Sequence, residues 1–337
     1  MKFFCPEPLV SYPLFQQLYF RFTPEKKIEG LFKDHLPSNY FEEAEFVNIG
    51  EAQAVLLANN FTFLDEKATP YIEKWADEAE KNNIPLYIFS CGDFTDKIVF
   101  DPRAYVFRFS LYRSTASSHD ICLPTLTEDI GRDGIQLRPK SPKPTVSFCG
   151  KAGFLTSREV ISSWLKRIRY SISAPARIRG VFWRRWMIRA CVSSVLIKSN
   201  FILRKGFSGA LKTIDLPPEQ ARKEFIDNIR ESDFVLAPKG DGNYSNRLLE
   251  AFSMGRIPVL VDTDTVLPLE DIVDYSKIIV RIPMNRVKET PVFIRKFYGV
   301  LNDEEWEERQ KLARQIFEMY LRQDSFFRFY FSSFVKV

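Results

Sequence analysis

Histidine is nearly absent from this chain. His35 and His119 are the only two in 337 residues, which disfavours a histidine-rich metal centre. The five cysteines, Cys5, Cys91, Cys122, Cys149 and Cys191, are far apart and odd in number, and none forms a CxxC pair. A disulfide framework or a zinc site is therefore not expected, and reduced thiols in a cytoplasmic protein are. No uncharged apolar run is long enough to span a bilayer, and "MKFFCPEPLVSYPLFQQ" reads as neither a signal peptide nor a membrane anchor. Acidic residues are missing from Val160 to Ile214, although Lys and Arg recur there. Elsewhere charge is balanced, with a mild net +5 that does not by itself argue for nucleic acid.

What is present is an ordinary globular composition with abundant aromatics, 15% of the chain and 31 of them Phe. The length predicts two domains. Apolar strands are predicted at 54–58, 84–90 and 104–110. The helix 71–83 between them carries Ile72, Trp75, Ala76 and Ala79 on one face. The Gly-, Pro- and cation-rich stretch 131–145 reads as the linker. Strands follow at 146–150, 200–204, 234–238, 258–261 and 277–282. Among them lie a helix opened by a Thr156–Glu159 capping box, a Pro-initiated helix near 217 and a long closing helix at 302–323. Strands alternating with helices imply mostly parallel sheets. The expected fold is α/β, two facing Rossmann-like domains with a cleft between them. The first domain is expected over 1–140 and the second over 141–323, with 324–337 as a C-terminal tail. In such sheets ligands sit beyond the carboxyl ends of the strands.

The loop "KGDGNY" and the helix "SNRLLEAF" follow strand 234–238. Gly240 and Gly242 allow a tight turn and close approach to a ligand. Asn243 or Ser245 can cap the helix, whose first turn then offers an anion site. Lys239 precedes it, and Arg247 can grip a phosphate through two hydrogen bonds. Glu250, three residues on, shares that face and could accept bonds from ribose hydroxyls. The plain alternative is a capped helix with a surface Arg247–Glu250 pair, worth about 0.3–0.5 kcal/mol.

The wider string from Ser232 to Pro283 contains Pro238-Lys239-Gly240, Arg247, Glu250-Ala251 and Gly255 to Val259. Leu267-Pro268 and Asp274-Tyr275-Ser276 follow. It resembles the signature of the exostosin family of glycosyltransferases. Weaker similarity to bacterial members extends upstream through "VSFCG", "SRE", "NFILRKGF", "FSCGDF" and "FRFSLYRST". The resemblance implies a GT-B fold, with the acceptor domain first and the nucleotide-sugar domain second, and inversion at the anomeric carbon. It implies that Arg247 holds the donor diphosphate and Glu250 the ribose. Lys239 stands where the family usually has Arg. The implied activity is transfer from a nucleotide-sugar, a UDP-sugar being the first expectation, to a glycan or lipid-linked glycan hydroxyl. The implied setting is bacterial surface-polysaccharide synthesis.

Other residues could join this site. Arg158 opens a helix expected to border the cleft, and Arg204 with Lys205 ends a strand of the same domain; each could reach the donor phosphate. The catalytic base should project from the first domain, and Asp93 in "SCGDF" is the choice, with His119 and Asp120 as alternatives. Asp262-Thr263-Asp264 is a DxD string that could hold a metal, or a strand-end turn. A metal-dependent transferase is thus an alternative, but no metal or other cofactor is expected to be required. The basic block contains "RIRGVFWRRWMIRACVSSVLIK". Three readings stay open: a helix packed on its domain, peripheral docking on an anionic membrane through 177–198, or a non-catalytic polyanion-binding module. Nucleic acid is not expected as a partner, because no recognised module is present. The sequons at Asn60 and Asn243 complete the inventory; a glycan on Asn243 would block the loop just described.

Overall fold

The computed structural model describes residues 1–25, 36–93, 97–153, 174–204 and 216–333. Two parallel sheets organise the chain. The first contains β1 (Lys2–Phe4), β2 (Glu45–Phe46), β3 (Ala54–Asn60), β4 (Leu86–Phe89), β5 (Ala104–Arg108) and β6 (Asp120–Cys122), in the order 2-1-3-4-5-6. The second contains β7 (Thr145–Lys151), β8 (Lys198–Arg204), β9 (Phe234–Leu236), β10 (Ile257–Asp262) and β11 (Val280–Pro283), in the order 11-10-9-7-8. Every pairing within them is parallel. This is the expected pair of Rossmann-like domains, the GT-B arrangement.

The local reasons are visible in the strands and helices. β3 is buried along nearly its whole length, as its apolar run requires for a central strand covered on both faces. Helix α1 (Ala68–Lys81) buries Ala68, Ile72, Ala76 and Ala79, and Trp75 packs on Phe4. In the second domain lie α2 (Gly180–Val192), α3 (Pro218–Arg230), α4 (Asn246–Ser253), α5 (Thr290–Gly299) and α6 (Asp303–Ile316). Asn302 and Glu305 form a reciprocal capping box at the start of α6, which satisfies two otherwise unpaired N–H groups. The expected Thr156–Glu159 box lies outside the described residues.

Two expectations about chain organisation are corrected. The closing helix does not run unbroken to 323. It loosens into a π turn at Phe317–Leu321 and breaks at Arg322, whose backbone is extended. Residues 324–333, expected in a tail, belong to a helix: Gln323–Ser333 forms α7. That helix returns to the first domain and inserts Phe326, Phe327, Tyr330 and Phe331 among Phe3, Phe15, Phe41, Phe89 and Phe107. Aromatic contacts there include a stacked Phe15–Phe89 pair and edge-on Phe107–Phe327. Much of the unusual phenylalanine content therefore serves one core, which the first domain cannot close without α7.

The link between sheets runs from 123 to 144 and packs on the second domain. Asp129 pairs with Arg314, Arg138 with the buried Asp233 at 2.9 Å, and Gly131 lies directly against the Ser253 carbonyl.

Candidate active site

The second sheet changes direction between β7 and β9: β8 lies to one side of β7, while β9 and β10 build out on the other. The carboxyl ends of β7 and β9 therefore frame the crevice in which open α/β sheets bind ligands. Cys149, Gly150 and Lys151 finish β7, and the loop from Pro238 to Ser245 leaves β9 and enters α4. Across the gap stand the segments that follow β4 and β5 of the first domain, carrying Asp93, Ser110 and Tyr112.

Arg247 is placed at that crevice. Its guanidinium donates to the Cys149 carbonyl at 2.9 Å and lies over the Phe148 ring, 4.5 Å from its centre. Gly150 makes room for it: with φ +145°, a Cβ there would sit 3.0 Å from the guanidinium. The Nε of Arg247 is sealed from water and has no partner among the described residues. Desolvation lowers the Arg247 pKa, and Glu250 opposes that shift. Burial raises the Glu250 pKa, against the pull of Arg247 and Arg222. The two do not form the surface pair considered from sequence; Arg247 turns to a backbone carbonyl, and the Glu250 carboxylate makes no hydrogen bond among the described residues. A half-buried carboxylate and a guanidinium with an unused N–H, side by side at a switch point, are costly unless a ligand completes them.

Lys239, Asn243 and Ser245 do something other than expected. Lys239 is 1% exposed and points into the domain interface. Its ammonium donates to the Tyr112 hydroxyl at 3.1 Å and the Ala176 carbonyl at 2.7 Å. Burial lowers its pKa to about 8. Asn243, also 1% exposed, is a stitch between domains rather than a ligand contact. Its amide donates to the carbonyls of Leu111 and Thr263, each at 3.1 Å, and its oxygen accepts from the Thr263 hydroxyl at 2.7 Å. No glycan fits on an amide so enclosed. Ser245 is the N-cap residue of α4 but makes no side-chain capping bond, so it leaves first-turn N–H groups open. Gly240 closes the loop through its N–H to the Tyr244 carbonyl at 2.9 Å.

Asp93 is exposed and faces this loop from the first domain. Its carboxylate accepts from the Gly242 N–H at 3.3 Å. Gly242 is required here, because a Cβ would lie 3.0 Å from Asp93 and 2.9 Å from the Tyr244 ring. The alternatives to Asp93 are occupied. Asp120 is buried between Arg108 and Lys97. His119 contacts the Pro102 carbonyl through Nδ1 and packs on Tyr105.

Arg204 is committed to Glu224 at 2.8 Å, with its side chain 7% exposed. That pair joins β8 to α3. Arg158 and Lys205 lie outside the described residues. The two acids of the DxD string separate. Asp262 pairs with Arg281, while Asp264, in the left-handed region at φ +62°, accepts from the N–H and hydroxyl of Ser114. Together with the Tyr112–Thr265 bridge, Asp264 latches the domains. No cluster of three or more metal-ligating side chains occurs among the described residues.

Helix α2 corrects the membrane reading in part. Its apolar face points inward, burying Val181, Phe182, Met187 and Cys191 in the domain core. Sequence reading missed why Gly180 starts it: a Cβ there would lie 2.1 Å from the Lys239 carbonyl and 2.3 Å from that of Gly240. The helix thus packs directly on the ligand loop. Among the described residues no helix is long and apolar enough to cross a membrane.

Comparison with known proteins agrees with the signature. Residues 193–297 match the Exostosin GT47 domain. A relative from Physcomitrium patens, "Probable glucuronosyltransferase 47 A", is 33% identical over 88 residues, covering 26% of this chain and 19% of its own. The chain thus spans about a fifth of that relative's length. Among solved structures, an alpha-glucosyltransferase in complex with UDP-glucose and DNA is 12% identical over 86% of this chain and 84% of its own, with a TM-score of 0.35. WaaG, a glycosyltransferase involved in lipopolysaccharide biosynthesis, is 11% identical over the whole of both chains, with a TM-score of 0.33.

Proposed function

We propose that this protein is a glycosyltransferase that takes a sugar from a nucleotide-sugar, a UDP-sugar in the first instance, and transfers it to a glycan hydroxyl. The observation that carries this reading is the Arg247–Glu250 face at the β7–β9 switch point, inside an exostosin domain. Arg247 and the open first turn of α4 would neutralise charge developing on the departing diphosphate. Glu250, whose carboxylate makes no hydrogen bond among the described residues, would hold the ribose. Asp93 would act as base: it accepts the acceptor proton while the acceptor oxygen attacks the anomeric carbon from the face opposite the departing diphosphate. The product is inverted. No metal is assigned a role, since Asp262 and Asp264 are engaged by Arg281 and Ser114. We place the enzyme in bacterial surface-polysaccharide assembly on the cytoplasmic side, a setting that five free thiols suit.

The test is thermal unfolding of wild type, Arg247→Ala and Asp93→Asn with UDP, GDP and ADP. A ligand at about 100 times its Kd adds roughly 2.7 kcal/mol, or several degrees at about 2–4 °C per kcal/mol. The expected result is a shift with one nucleotide, lost in Arg247→Ala and kept in Asp93→Asn, which should bind but not turn over. No shift with any nucleotide would sink the donor reading.

A membrane contact through the end of the 177–198 segment is favoured by one observation. Val192, Val195 and Leu196 are exposed by 64%, 78% and 37%, with exposed Arg185, Arg189 and Lys198 around them. Apolar tips among cations suit an anionic lipid surface.

A further inference from the structure

Among the described residues of the acid-free basic block, Arg184 is a cation that faces the wrong way for a surface. Arg185 and Arg189 of α2 are exposed, but Arg184 turns inward toward the end of β7. Its guanidinium donates to the Lys151 carbonyl and lies over the Phe148 ring, 5.8 Å from its centre. Arg247 approaches the same ring and bonds the Cys149 carbonyl. Two guanidiniums, from helices far apart in sequence, thus bracket Gly150. In both, Nε is sealed from water and has no acceptor among the described residues. Neither has a carboxylate within ion-pair distance among the described residues. The acid whose charge most favours Arg184 is Asp241, which is largely exposed and engaged by Arg179 at 3.2 Å. Burial and the neighbouring Arg247 lower the Arg184 pKa to about 10.

Burying two like charges together is costly, and Glu250, which favours the charged form of Arg247, is one carboxylate beside two guanidiniums. What would satisfy the pair is a dianion with several acceptor oxygens, because planar guanidiniums match phosphate oxygens. We propose that Arg184 is a binding residue for the donor diphosphate, forming with Arg247 a two-guanidinium clamp over the carboxyl end of β7. This rests on the nucleotide-sugar reading for the identity of the ligand; the anion site itself rests on the two arginines. It assigns α2 to donor binding along its inner face. It also gives Gly180 a purpose, since the tight approach of α2 to the 239–240 loop positions Arg184 beside Arg247.

The experiment is titration calorimetry and thermal unfolding with inorganic pyrophosphate, UDP and uridine. The proteins are wild type, Arg184→Met, Arg184→Lys and Arg247→Ala. Methionine keeps the stem on Phe148 and removes the charge. Arg184→Met is expected to unfold no earlier than wild type without ligand. It should bind pyrophosphate and UDP about tenfold to a hundredfold more weakly, the loss of charge-assisted hydrogen bonds, and bind uridine unchanged. Arg184→Lys should recover part of the loss. Unchanged pyrophosphate affinity in Arg184→Met, with or without a lower melting temperature, would overturn the proposal and leave Arg184 a support for the Lys151 carbonyl. UDP binding that depends on Arg247 but not on Arg184 would overturn it while the donor reading stands. Arg184-dependent pyrophosphate binding without any nucleotide binding would uphold the clamp and remove the donor reading. Binding of neither probe by wild type would overturn both.

Discussion

Replacing Asn243 by Ala separates a structural role from a ligand role. The side chain is enclosed, and its amide satisfies the carbonyls of Leu111 and Thr263. Thr263 loses its acceptor too, but its hydroxyl lies 3.1 Å from that of Thr265 and can turn there. Two buried carbonyls then lose their side-chain donor, Leu111 keeping only a long 3.5 Å contact from the Val266 N–H, and each loss costs about 1–3 kcal/mol. The central expectation is a loss of about 4 kcal/mol. For a domain of this size that lowers Tm by about 8–16 °C. One of the orphaned groups belongs to the first domain, so the loss should reach the interface and not remain in the loop. Calorimetric unfolding, with and without UDP, gives the readout. The ligand-induced shift should persist in Asn243→Ala, because no part of the amide faces the crevice. Asn243→Asp should be worse than Ala, since it removes both donated bonds and buries a charge against carbonyl oxygens. A variant with wild-type Tm and no UDP shift would refute the reasoning, and would return Asn243 to the donor contacts expected from sequence.

Lys239 predicts a pH effect. Its pKa falls from 10.5 to about 8 on folding. Between those values the unfolded chain holds a proton that the folded one has released, so stability from this group rises with pH. From about pH 7.5 to pH 10, wild type should gain Tm relative to Lys239→Met; a constant gap would count against burial of the charge. Vesicle flotation tests the lipid contact. Wild type should float with vesicles rich in anionic lipid and lose that binding when Val192, Val195 and Leu196 are all changed to Ser. Indifference to those changes would dismiss the surface.

The sheets and the Arg247–Glu250 face were legible because they follow from local pattern. Apolar runs set the strands, and a spacing of three puts two side chains on one helix face. What escaped depends on partners remote in sequence. Asn243 has the chemistry of a cap, and only the approach of Leu111 and Thr263 turns it into a stitch. Arg184 looks like Arg185 and Arg189 until β7 arrives beneath it. The aromatic residues 326, 327, 330 and 331 have helical spacing. With no nearby strand to pack against, they read as a tail, although their core lies some three hundred residues upstream. Gly180 gave no signal at all, since its need is set by two carbonyls on another loop.

Helix α7 also governs the order in which the protein can be made. A nascent chain emerges from its amino end, and domains generally fold as units in that order. Here the first domain has its sheet by residue 122 but waits for residues 326–331 to cover Phe3, Phe41 and Phe107. The second domain has its strands and α6 before those residues exist. During synthesis, then, the later half is in a position to settle first, while the earlier half presents an open aromatic surface.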